Sequence, residues 1–157
     1  MFYILHKELV TFLKLFSFFQ ILLAFRAAHL VLATYGFMGL LAFGLSQFLL
    51  PMFAVARPPS PRAAYAALGT AVIAIVLALG AYFAAAALAG LVAAAIHIVS
   101  MERSLRARLR PALGTAFSLV RVSWACLVAS LALAAAMALG WTSPRVGVVF
   151  VILLVPG

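Results

Sequence analysis

Acid is nearly missing from this chain. Among its 157 residues only Glu8 and Glu102 carry a carboxylate, and charged residues of either sign make up 8%. A soluble domain usually devotes about a quarter of its residues to charge, so a water-exposed surface cannot be built here. Glu8 precedes the first apolar stretch and Glu102 follows the fourth. Coupling to protons or cations through acids inside a membrane is therefore disfavoured. A single cysteine, Cys126, excludes an internal disulfide and leaves the redox compartment unmarked. No acid–base pair, nucleophile constellation, phosphate loop or metal-ligand cluster is present to support soluble-type enzyme chemistry. Scattered Ser, Thr and Gln would line a polar pore poorly.

What fills the chain instead is hydrocarbon, at 69% hydrophobic residues. From Ala63 to Met101 no Asp, Glu, Lys or Arg appears. As one helix that run would reach roughly 58 Å, nearly twice a bilayer core of about 30 Å, so two spans joined by a turn near Gly80 are predicted. The whole chain, 1–157, reads as a single all-α integral membrane domain, a polytopic helical bundle. Its six apolar segments fall at roughly 9–25, 30–56, 63–80, 83–101, 122–140 and 146–157. The lipid bilayer is then its principal partner, with other membrane helices or subunits beside it.

The formal charge of +9 would suggest nucleic acid in a soluble chain, but these cations flank apolar segments, and a nucleic-acid partner is not expected. The hairpin arrangement puts Lys7, Arg57, Arg62, Arg103, Arg106, Arg108, Arg110 and Arg121 on one side, with Arg26 and Arg145 opposite. The positive-inside rule makes the richer side cytoplasmic, with the N-terminus on it, in a bacterial inner membrane. Arg57, Arg62, Arg103, Arg106, Arg108 and Arg110 serve as topology anchors. Binding of a phosphorylated lipid by Arg103–Arg110 is the less economical reading of the same cluster.

The two ends of the chain are the least regular. Lys14 interrupts the first segment, and with Lys7 and Thr11 it forms a short polar stripe suited to the membrane interface. The same lysine, with the poor cleavage context Arg26-Ala27-Ala28, argues against a removed signal peptide. The last segment, Val146 to Gly157, would rise about 18 Å and is too short to span. Either the chain belongs to a longer membrane protein or a neighbouring subunit covers this segment.

Small residues mark two helices. Ala86, Gly90 and Ala94 recur at four-residue spacing, a pattern that lets helix backbones approach closely in lipid. Packing within the bundle is expected of them, with a dimer seam as the sharper alternative. In the second segment His29, Gly36, Gly44, Gln47 and Pro51 fall within a sector of about 80° when about 100° is taken per residue. An imidazole above a glycine-lined groove suits heme or a metal, and Gln47 could bond to a neighbour. The plainer reading is a helix that packs along its glycines, which spacing alone favours because one histidine specifies no metal site.

The stretch from His29 through Gly36-Phe37-Met38-Gly39, Gly44, Gln47-Phe48, Pro51-Met52 and Arg57-Pro58-Pro59 resembles the second helix of heme-copper oxidase subunit I. It resembles more closely the NnrS-like membrane proteins, which are heme- and copper-associated and linked to nitric-oxide metabolism. That resemblance implies heme or metal ligation by His29, and a fold of about twice as many helices, with partner histidines beyond Gly157. The chain would then be an N-terminal half. Val31 and Leu32 stand where NnrS-like helices carry a second histidine and an acid. A non-catalytic membrane subunit or assembly factor is the alternative function. His97 is expected near the headgroups at the cytoplasmic end of the fourth segment, most of a bilayer from His29, and His6 lies before the first segment.

Overall fold

The computed structural model describes residues 2–109 and 114–141, with side chains described from Phe12 onward except Leu23, Ala24 and Ala27. Among these residues the architecture is all-helical. Helix α1 (Phe2–Val31) runs into a π-helical stretch (Leu32–Gly39) and on into α2 (Leu40–Ala54), followed by α3 (Pro61–Leu79), α4 (Phe83–Arg106) and α5 (Thr115–Ala138). Four helical stretches are long and apolar enough to cross a membrane: Ala28–Ala54, Pro61–Leu79, Phe83–Arg106 and Thr115–Ala138.

Six separate segments are thus corrected to five α-helices and four candidate spans. The expected segment 9–25 is no independent crossing, because the helix continues unbroken from Phe2 to Ala54. Neither Gly nor Pro stands between Phe2 and Val31 to end it, and Arg26, Ala27 and Ala28 are good helix formers. No turn separates that segment from the next among the described residues. Segment 146–157 lies outside the described residues. The other limits shift for local reasons: α4 carries on to Arg106, with Arg103 and Arg106 complementing the dipole of its last turn, and α5 opens directly after Gly114.

Sharp local chemistry sets the turns. Ser60 caps α3 by accepting from the Ala63 amide at 3.3 Å, and Pro61 occupies the first helical position, where its missing N–H costs nothing. Between α3 and α4 the chain reverses through Gly80–Tyr82. The Tyr82 amide donates to the Leu77 carbonyl at 2.9 Å, and the left-handed residue is Ala81, with φ of 62°. Helix α2 ends similarly, with Val55 left-handed and the Ala56 amide donating to Pro51 O at 2.9 Å.

Helix α4 is the axis of the bundle. It packs along α3 as a hairpin and also meets α5 and α2. Its buried face carries Ala86, Ala87, Ala93, Ala94, His97, Ser100, Met101, Ser104 and Leu105. These are mostly small side chains, as close approach requires where lipid offers no hydrophobic drive between helices. One core cluster joins Leu50, Ala54, Met101, Leu105 and Trp124, and a second joins Phe43, Ala93, Ala94 and Leu131.

Polar contacts fasten the arginine-bearing end. Ser104 Oγ donates to the Arg57 carbonyl, and the Leu109 amide donates to Val55 O at 3.1 Å. Arg57, Arg62, Arg103, Arg106 and Arg108 consequently gather at one end of the bundle, whereas Gly80 turns at the other; Arg110 lies outside the described residues. Near the same end Arg121 holds Glu102 through two bonds, Nε to Oε1 at 2.7 Å and one guanidinium nitrogen to Oε2 at 3.1 Å.

Candidate functional site

A buried imidazole lies where α2, α4 and α5 meet. His97 is 1% exposed. Its ring stacks on Phe43 with centroids 4.1 Å apart and planes 7° from parallel, and it meets Trp124 edge-on at 6.2 Å. Gln47 Nε2 lies 3.3 Å from Nδ1, and Ser46 Oγ lies 3.1 Å from Nε2.

The proton arrangement follows from the partners. With the Gln47 amide nitrogen donating to Nδ1, the ring proton belongs on Nε2, toward Ser46. Ser46 in turn donates to the Phe43 carbonyl at 2.9 Å. Both ring nitrogens thereby have a hydrogen-bond partner. Ser100 adds a bond from its Oγ to the His97 carbonyl at 2.8 Å. Gln47 Oε1 is buried with no partner among the described residues. The network ties α2 to α4 and fixes their rotation, because a buried polar group left unpaired costs about 1–3 kcal/mol.

His97 is not at its helix end but packed between helices. Since α4 continues to Arg106, the ring sits about 13 Å from the helix end, at about 1.5 Å per residue. Ser46 escaped the sequence reading altogether. The sequence shows Gln47 as able to bond to a neighbour, yet nothing in its spacing names a histidine fifty residues away.

The stripe headed by His29 does not stay on one face. Pro51 is buried and Gln47 turns inward to His97, but His29 is exposed, with no hydrogen-bond partner among the described residues. The π-helical stretch between them explains the divergence: its i→i+5 bonds put more residues into each turn, so positions aligned by α-helical counting rotate apart.

The glycines also divide. A Cβ at Gly44 would meet nothing within 4 Å, and the nearest atoms to one at Gly36 belong to Leu32 and Val31, at 3.7–3.9 Å. Among the described residues, neither of these Cβ positions has an atom of another helix among its nearest neighbours. Gly90 behaves differently. A Cβ there would come within 3.0 Å of Leu131 Cδ2, and Ala86 and Ala94 flank it at 8% and 0% exposure. That stripe turns inward, with Gly90 facing α5.

No group of three or more His, Cys, Asp or Glu side chains stands ready for a metal among the described residues. Cys126 is free and half-buried. No protein-family model matches the chain, nor does any curated protein or solved structure.

Proposed function

We propose that the chain is an integral membrane module of the heme-copper or NnrS-like type, serving respiratory or nitric-oxide-related metabolism, and that His29 is its heme- or metal-ligating residue. The observation that supports this reading is the contrast between the two histidines whose side chains are described. His97 has both nitrogens engaged, whereas His29 is exposed and has no hydrogen-bond partner among the described residues, on a helix where Gly44 leaves open space.

The donor chemistry suits one axial position. Neutral imidazole is a good ligand for iron or copper, and surrounding hydrocarbon excludes competing water. Only one such donor is free among the described residues, so a second ligand comes from another helix or another chain. The arginine-bearing end faces the cytoplasm of a bacterial inner membrane by the positive-inside rule.

A second reading, a non-catalytic subunit acting through helix packing, draws on α1. Phe12, Phe16, Phe19 and Phe25 are all exposed on it, an apolar surface that the described residues leave uncovered. One experiment separates the two. The native full-length protein, purified with its membrane partners, is expected to show a Soret band that His29→Ala diminishes or shifts. A colourless, metal-free preparation would overturn ligation and leave the packing subunit.

A further inference from the structure

We infer that the arginine-bearing end of the bundle is a binding surface for anionic phospholipid, with the guanidinium groups of Arg57 and Arg103 holding the lipid phosphate. Charge is the first argument. Glu102, the one carboxylate among the side chains described, is already taken by Arg121. Arg57, Arg62, Arg103 and Arg106 are all exposed, and none of their side chains has a hydrogen-bond or ion-pair partner among the described residues. Four cations stand without a counter-charge, which a partner must bring.

Sequence spacing treats these arginines as separate topology anchors, and the fold joins them. Ser104 of α4, which lies between Arg103 and Arg106 in the chain, donates through Oγ to the Arg57 carbonyl. The loop after α2 is thus laid against the last turn of α4, and the bond from the Leu109 amide to Val55 O at 3.1 Å holds it there. Arg62 follows in the first turn of α3, behind the Ser60 cap. Pro58, Pro59 and Pro61 fix φ along the segment carrying Arg57 and Arg62, so little backbone freedom is lost when a ligand is gripped.

The neighbouring apolar surface identifies the ligand class. Met52 and Phe53 at the end of α2, Val55 after it, and Tyr65 one turn beyond Arg62 are all exposed. A soluble polyanion would match the arginines and leave this hydrocarbon in water. A phospholipid satisfies both, with its phosphate at the arginines and its acyl chains along α2 and α3. The planar guanidinium fork suits paired N–H bonds to phosphate oxygens, and an anionic lipid brings no choline cation to repel the cluster. Topology anchoring asks only for positive charge near the ends of spans, whereas a lipid site also needs charges from separate segments gathered beside an apolar wall.

The test reconstitutes the full chain in phosphatidylcholine bilayers with a trace of spin-labelled lipid, either phosphatidylglycerol or phosphatidylcholine with the same acyl chains, and reads the motionally restricted fraction of each. Phosphatidylglycerol should be favoured by about fivefold or more. In about 1 M salt, where the screening length is about 3 Å, that preference should fall toward one, an arm that needs no variant. Arg57→Gln combined with Arg103→Gln, both at exposed positions, should likewise abolish most of it, while Arg26→Gln on α1 should leave it in place. No preference for phosphatidylglycerol, a preference insensitive to salt, or equal loss in Arg26→Gln would overturn the proposal. So would displacement by inorganic phosphate at constant ionic strength, which would assign the cluster to a soluble anion.

Discussion

The helix from Phe2 to Ala54 is chemically similar along its length and structurally divided. In its N-terminal part Phe18 is 67% exposed, and in its C-terminal part Phe43 is 8% exposed and stacked on His97. Both are phenylalanines on one continuous helix. What separates them is α4, whose buried face passes α2 and supplies the imidazole, Ala93 and Ala94 against which Phe43 packs. In a chain this apolar, residue type says little about burial, since lipid accepts Phe as readily as a protein core does. The polar network of Ser46, Gln47 and His97 marks the difference better, because such groups must find partners inside.

The largest effect expected from breaking this contrast is a paired truncation. Phe43→Ala should lower stability in detergent by about 2–3 kcal/mol, the cavity share of a core Phe→Ala loss plus the stacking contact. Phe18→Ala should stay within about 0.5 kcal/mol. Thermal unfolding of the two variants side by side reads this out, and equal losses would mean that α1 is packed like α2.

Overpacking the α4–α5 seam comes next. Gly90→Leu drives a side chain into Leu131 and should cost about 1–3 kcal/mol. Gly44→Leu, at a position where a Cβ meets nothing within 4 Å, serves as the control and should leave the melting curve in place. A silent Gly90→Leu would mean that this face can turn toward lipid.

The smallest effect belongs to the ion pair at the arginine-bearing end. Arg121 and Glu102 are 51% and 27% exposed, so Arg121→Gln should change stability by about 0.2–1 kcal/mol. That difference should shrink as salt screens the pair. A larger, salt-insensitive loss would show the pair to be shielded by something outside this chain.

Much of this fold is legible before any coordinates. The uncharged run from Ala63 to Met101 must fold back on itself, and α3 and α4 turn at Gly80–Tyr82, next to where length alone would put the break. Periodicity failed where the helix was not α-helical. The face uniting His29 with Gln47 presupposed a constant turn, and the π-helical stretch leaves His29 exposed while Gln47 reaches His97. Hydropathy windows likewise divided one long helix in two, because Arg26 looks like a boundary while being a good helix former.

The sequence by itself determined the solvent and the class: two acids, 69% hydrophobic residues and long uncharged runs leave only a helical membrane protein, since helices satisfy their own backbone in lipid. It also determined the hairpin, because chain length against bilayer thickness is one-dimensional arithmetic. Only the tertiary structure decided which histidine is buried and which is exposed, which glycine touches a neighbour, and which arginines stand together. Those outcomes depend on how helices rotate about their axes and which helix lies alongside, a relation between residues fifty positions apart that no local pattern encodes.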